Sequence, residues 1–264
     1  LGFQECNVAG CINVAADHLG LRGIDTLEQL AEVKRVPIEI AKDAAVLNAD
    51  DPHCLQMADH TDAEKISYVT MNPSHPLVKR HIQAGGQAFV LEQGMNGHMI
   101  TIYDNEAHTP LVWTHLIPAT IEGRALHNVQ NAMFAAALAY NMNIGLEDIR
   151  QGLRTFDSTF FQAPGRMNIY DEQPFRVILD YALNPAAVKA MCDLVDRFDT
   201  EGKRIVVLSA PGDRRDEDIR DIAEIDSGHF DYFICSCGDN RRGRGVEEVA
   251  NMLKNKLLEK GIST

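Results

Sequence analysis

From residue 176 onward the apolar positions repeat one pattern: a short β-branched run, a polar turn, then a helical stripe. "RVILDY" precedes "PAAVKAMCDLVDRF", "RIVVLSA" precedes "DEDIRDIAEI", and "FDYFICS" precedes "VEEVANMLKNKLLEK". Strands alternating with helices predict a parallel sheet covered by helices, whose right-handed crossovers gather the strand ends on one edge. That edge would carry Asp180, Asn184, Gly212, Asp213, Arg214 and the loop 238–244. Open α/β sheets take their ligands there. Asp180 closes the first apolar run, and Asn184-Pro185 opens a helix, with Asn suited to the cap and Pro to the first position. A carboxylate at such a strand mouth can meet ribose hydroxyls, an amine or a bridging metal. It can equally serve only the backbone N–H groups of its own turn.

The first part of the chain is less regular. "CNVAGCINVAADHLG" reads as a β-rich run ending in the polar pair Asp17-His18. "DTLEQLAEVKRV" predicts a helix capped by Asp25 or Thr26, with Leu27, Leu30, Ala31 and Val33 on its apolar side. "AAVLNADDP" predicts a strand entering a turn, and "DDPHCLQMAD" a helix with Pro52 in its first turn. Residues 65–117 read as short strands and turns. "NVQNAMFAAALAY" is apolar nearly all round, which predicts a buried helix; in "GLEDIRQGLRTF" Leu146, Ile149, Leu153 and Phe156 share a face. "FQAPGRMN" is the linker candidate, so the expected domains are 1–160 and 161–264.

The length of 264 residues suffices for two domains with real cores. No apolar run reaches membrane-spanning length and no signal peptide opens the chain, so membrane partners are not expected. A net charge of −13 argues against a broad nucleic-acid-binding face. The local exception is Arg241, Arg242 and Arg244, either a solvated loop or one that faces an anion. The six cysteines match no zinc spacing and read as reduced cytosolic thiols acting as small core hydrophobes, which places the protein in the cytoplasm. Leu1 begins inside an ordered-looking pattern and the last helix stops where another strand usually follows, so a piece of a longer chain is expected.

Several segments, in order, carry a resemblance: "NVAADHLGLRGIDTLEQLAEVKR", "AVLNADDP", "GRALHNVQNAMFAAALAY", "APGRMN", "VILDYALNPAA" and "APGDRRDEDIR". Together they resemble the Mur ligase family, and within it the carboxy-terminal half of cyanophycin synthetases. The resemblance implies an α/β fold. A partial Mur ligase central domain of the P-loop type would be followed by a Rossmann-like, parallel-sheet C-terminal domain. It implies an ATP-dependent amide ligase using ATP and Mg²⁺: a carboxylate is phosphorylated, an amine attacks the acyl phosphate, and phosphate leaves. The partners so implied are ATP, an acidic peptide or poly-aspartate acceptor, and an amino acid, arginine. The full-length protein is expected to form a homo-oligomer.

Residue by residue, His18 matches the family's metal-proximal histidine. Lys34 matches a lysine that is carbamylated in several members, where it serves a second Mg²⁺; unmodified, it is an exposed helix lysine. His127, Asn128 and Asn131 match the family's HNxxN motif, where two amides one turn apart suit an adenine edge; Asn128 could instead cap its helix. Arg166 matches the linker arginine that reaches the ATP phosphates, a role its bidentate fork suits. Asp180 matches the nucleotide-side aspartate, with Asn184 beside it. Asp213, Arg214 and Arg215 are candidates for the incoming amino acid or the acceptor, or for surface ion pairs.

Two departures stand out. The family motif Asp-Tyr-(Ala/Gly)-His-Asn-Pro has Leu183 in place of its histidine. No G-x-x-x-x-G-K-[ST] phosphate loop is present, so that loop is expected upstream of Leu1 and the fragment alone is expected to be inactive. The alternatives are another Mur-type ligase acting on a muramyl peptide, or a non-catalytic remnant that binds or scaffolds.

Overall fold

A computed structural model describes residues 2, 4–238 and 240–263. The chain divides into two compact units. One holds the chain through Val14 together with Glu28–Leu179; the other holds Ala15–Leu27 and the chain from Asp180 on. No helix among the described residues is long and apolar enough to cross a membrane.

The first unit is built on a six-stranded sheet in sequence order. Strands β1 (Cys6–Cys11), β2 (Ala41–Asn48), β3 (Lys65–Thr70) and β4 (Gln87–Gly94) are parallel. Strands β5 (Gly97–Asp104) and β6 (Ala107–Trp113) continue it antiparallel. The parallel part explains the composition of β2, whose last five residues are all buried, as befits a strand covered on both faces. Helices α1 (Leu27–Glu39), α2 (Pro52–Gln56) and α3 (Pro76–Gln83) make the crossovers. The core forms where α4 (Leu126–Asn141) and α5 (Leu146–Thr155) lay Val129, Met133, Phe134, Ala137, Ile149 and Leu153 against Val46, Val69, Phe89 and Ile102.

Three local expectations change. The buried stripe of α1 runs through Leu30 and Ile38, with Lys34 half-buried between them, and Val33 is 52% exposed. Positions 30, 34 and 38 recur at four residues, the spacing of one helix face, and the helix runs on past Pro37. Residues 76–83, read as strand or turn, form α3, with His75 accepting from Val78 N–H as the cap and Pro76 at the first position. Phe156 ends α5 outside its apolar face and is exposed.

Between α5 and the next strands the chain is tied by Asn168, which is fully buried. Its amide donates to the carbonyls of Ser158 and Ala163, and its oxygen accepts from Gly165 N–H. Gly165 has φ +70°, a conformation that favours glycine. Strand β7 (Asn168–Tyr170) then pairs with β8 (Val177–Leu179). That pairing is antiparallel, so "RVILDY" is not a third strand in the parallel ladder expected of it. The Asp171–Arg176 bidentate pair closes the turn between them.

In the second unit β9 (Ile205–Leu208) and β10 (Tyr232–Cys235) form a parallel pair. Helices α6 (Pro185–Val195), α7 (Asp216–Asp226) and α8 (Glu248–Glu259) pack together with Leu208, Val206, Phe233 and Cys235. The period of two leaves Ile205, Val207, Tyr232 and Ile234 on the other face, all exposed.

Candidate functional site

In the first unit the sequence-predicted asparagines come together at the start of α4. Ala125 is the N-cap and makes no side-chain cap bond, so Asn128 does not cap the helix. Instead its Nδ2 donates to the Ala119 carbonyl at 2.7 Å. A carbonyl can only accept, which fixes the orientation of this amide. Asn128 Oδ1 therefore faces Asn131 and accepts from its Nδ2 at 3.0 Å, leaving Asn131 Oδ1 as the outer atom of an exposed residue. The neighbouring His127 and Asn128 both direct nitrogen at the Met167 thioether, at 2.7 and 3.5 Å. Met167 is fully buried and holds φ +49°, an uncommon conformation for a residue with a side chain. Arg166, beside it, is exposed.

Lys34 sits at the exit of β1. Its Nζ donates to the Asn13 carbonyl at 3.1 Å, so in this form it acts as a cation anchoring backbone. Asp51 organises the same exit: Oδ2 accepts from Val14 N–H, while Oδ1 caps α2 by accepting from His53 and Cys54 N–H.

In the second unit His18, Asp213 and Arg214 converge. Arg214 is 5% exposed; its guanidinium lies 2.8 Å from Asp17 Oδ1 and 3.4 Å from Asp213 Oδ1. It also meets His18 Nδ1 at 3.1 Å. A second guanidinium nitrogen lies 3.4 Å from His18 Nε2, so Arg214 spans both ring nitrogens. Arg214 Nε is buried with no hydrogen-bond partner among the described residues. His18 takes φ +61°, an uncommon conformation for a residue with a side chain. Burial works against ionising Asp213, yet the bonds from Arg242 and the charges of Arg242 and Arg214 hold its carboxyl below the usual range.

Arg215 turns away from this group. It grips Asp218 through two bonds of 2.7 and 2.8 Å and pairs with Glu217. The bond to Asp218 pushes the Arg215 guanidinium pKa up. Asp180 Oδ1 accepts from Ala182 N–H, and Asn184 caps α6 by accepting from Ala187 N–H with Pro185 at the first position.

Sequence reasoning missed the clamp between residues 212–216 and 241–244. Arg242 holds both oxygens of Asp213, and Arg244 donates to the carbonyls of Gly212 and Arg214 as well as to Asp216 and Glu248. A Cβ on Gly212 would stand 2.1 Å from the Arg241 carbonyl oxygen, so only glycine fits. Arg242 and Arg244 are thus neither simply solvated nor free to face an anion. Asp239, in the same expected loop, lies outside the described residues.

His18 belongs to the second unit and Lys34 to the first. Among the described residues no group of three or more His, Cys, Asp or Glu could hold a metal ion. The donor set at these two positions is one imidazole, engaged by Arg214, and one ammonium. As they stand, they do not fit a Mg²⁺ site, which takes oxygen ligands.

The Mur ligase middle domain matches residues 2–139, and the Mur ligase, glutamate ligase domain matches residues 165–263. The chain is 43% identical over its whole length to the cyanophycin synthetase of Trichormus variabilis, covering 28% of that protein. It is 40% identical over 98% of its length to that of Synechocystis sp., covering 29%. The chain thus spans under a third of the length of these relatives. Among solved structures, E. coli FolC in complex with DHPP and ADP aligns over 94% of this chain and 51% of its own, at 19% identity and a TM-score of 0.63. At that identity it speaks to the fold alone: an α/β architecture shared with Mur ligases.

Proposed function

The chain belongs to the Mur ligase family, and on that premise we propose that it is part of an ATP-dependent amide ligase. The γ-phosphoryl of ATP passes to a carboxylate oxygen, giving an acyl phosphate and ADP. An amine then attacks the acyl carbon, and the C–O bond to phosphate breaks as the amide forms. Carboxylate and triphosphate repel one another, so the site must supply donors and cations held in position.

Each candidate has a role suited to its chemistry. Asn131 Oδ1, left outward by the Asn128 bond, accepts from the exocyclic amine of adenine. Arg166 pairs with phosphate oxygens. Asp180 accepts from ribose hydroxyls at the turn that Asn184 begins to close into a helix. Asp213 and Arg214 meet the amino acid or its acceptor. Arg215, committed to Asp218, contributes charge rather than a free fork. Mg²⁺ would offset phosphate charge when bound. Lys34 could offer it oxygen only as a carbamate, so no step is assigned to the metal here.

The likeness to cyanophycin synthetases over essentially the whole chain carries the finer reading. In it, the parent protein adds arginine to the side-chain carboxylates of a poly-aspartate backbone. The test is phosphate release by the complete protein given ATP, a short poly-aspartate primer, and arginine or lysine. Release with arginine supports the reading. Release only with a muramyl peptide acceptor would reassign the substrate. Leu183 is 38% exposed, so Leu183→His introduces no polar ring into the buried interior. Release by that variant alone would mark a decayed site, and silence from both proteins with every primer would leave a binding module.

A further inference from the structure

Cys11 and Cys54 lie 43 residues apart in sequence and meet inside the first unit with their sulfurs at 3.5 Å. Cys11 ends β1, opposite Leu47, and Cys54 stands in the first turn of α2 with its N–H on Asp51. They are 6% and 0% exposed. The ligase reading uses neither.

The pair is asymmetric. The Cys54 thiol donates to Cys11 Sγ; that bond, aided by the charge of Lys34, lowers the Cys11 pKa against the effect of burial. The same bond and burial push the Cys54 thiol up. One sulfur is thereby prepared to attack and its neighbour to resolve, the division of labour in thiol–disulfide exchange. The residues that follow Cys11, Ile12 and Asn13, are exposed, and their carbonyls are held by Asn48 Nδ2 and Lys34 Nζ, so Cys11 reaches solvent when those two bonds open.

We propose that Cys11 and Cys54 are a redox-convertible dithiol, a site of reversible disulfide formation that fastens the end of β1 to the first turn of α2. The oxidant is a low-molecular-weight disulfide. The Cys11 thiolate attacks one of its sulfurs, forming a mixed disulfide and expelling one thiolate. Cys54 then attacks Cys11 Sγ and expels the second. Both protein sulfurs are oxidised, the small disulfide is reduced to two thiols, and the two protein protons end on them. The sulfurs need to approach by about 1.5 Å to reach bonding distance.

The probe is oxidised glutathione, applied to the native chain before alkylation, unfolding and peptide mass mapping. The expected result is a crosslink between the Cys11 and Cys54 peptides, removed by dithiothreitol. Cys237, which is exposed, serves as the internal control for mixed-disulfide formation. In Cys54→Ser, Cys11 should stop at the glutathione adduct; in Cys11→Ser, Cys54 should remain a free thiol. Closing a loop of this length should raise the unfolding midpoint seen by Trp113 fluorescence by roughly 5–15 °C. Glutathionylation of Cys237 without any Cys11–Cys54 crosslink would overturn the proposal, as would a crosslink that leaves the Trp113 midpoint unchanged. Neither readout needs ligase activity, so this proposal and the ligase reading can fail separately.

Discussion

Asp226, the last residue of α7, is 3% exposed. Its Oδ1 accepts from the Cys192 thiol at 3.2 Å, and its Oδ2 is buried with no partner among the described residues. Burial pushes its carboxyl up to about 6 from 3.8, against the Cys192 bond and the charge of His229. His229 itself bonds Asp196 at 2.7 Å. The folded chain therefore holds this proton more tightly than the unfolded chain does. Its contribution to stability is fully present below about pH 4, falls as pH rises through about 6, and is flat above. About two pKa units correspond to about 3 kcal/mol between the two limits. Asp226→Asn cannot ionise, so relative to the wild type it should gain up to about 3 kcal/mol between pH 4 and pH 7.5. Taking the difference between those two pH values cancels the constant cost of an unpartnered amide. The assay is urea unfolding followed by far-UV ellipticity across that range. Trp113, the single tryptophan, lies in the first unit and serves as the control. Parallel pH profiles for the two proteins would refute the reasoning, as would a Trp113 transition that moves as much as the ellipticity.

Gly212→Ala should force the 241–244 segment off the 212–216 loop. We expect a loss of about 2 kcal/mol and faster amide exchange at Gly243 and Arg244. Asn168→Ala removes a buried amide bonded to Ser158, Ala163 and Gly165, and should cost about 2–3 kcal/mol, read as earlier proteolysis between residues 156 and 166. Asp51→Ala strips the α2 cap together with the bond to Val14, and should lower the stability seen by Trp113 by about 1–2 kcal/mol. Unchanged unfolding in any of these would show that the neighbouring backbone re-forms its bonds without the side chain.

Much of the second unit was legible because its strands and helices follow one another with clean periods and strong start signals, Asn184-Pro185 above all. The same holds for α4, whose alanine-rich sequence could only be a buried helix. Helix α3 was not legible: it has only eight residues, and its cap is a histidine rather than Ser, Thr, Asp or Asn, so no ordinary start signal marks it between the strands on either side. The stripe of α1 was misplaced because Lys34 reads as polar, although its stem fills a half-buried position. Strand β8 was recognised, but its partner was not; the Asp171–Arg176 pair across the turn from β7 is a local contact no hydrophobic pattern reports. At the candidate site the residue types were visible, whereas their commitments were not. Nothing in "GDRRDED" or "NRRGRG" alone tells that Arg242 is held by Asp213 and Arg215 by Asp218. Those bonds join segments distant in sequence or choose among several carboxylates.

The alternation along β9 and β10 has a practical outcome at the bench. Directly opposed, Ile205 with Tyr232 and Val207 with Ile234 make a greasy strip on a short ribbon. Such surfaces drive colloidal association and template stacking between neighbouring molecules. Preparations of this chain should bind anilinonaphthalene dyes while still folded, and their light scattering should climb with concentration and with added sulfate. Replacing Val207 and Ile234 by threonine, which keeps the β-branch, should suppress both signals without melting the helices that line the opposite side.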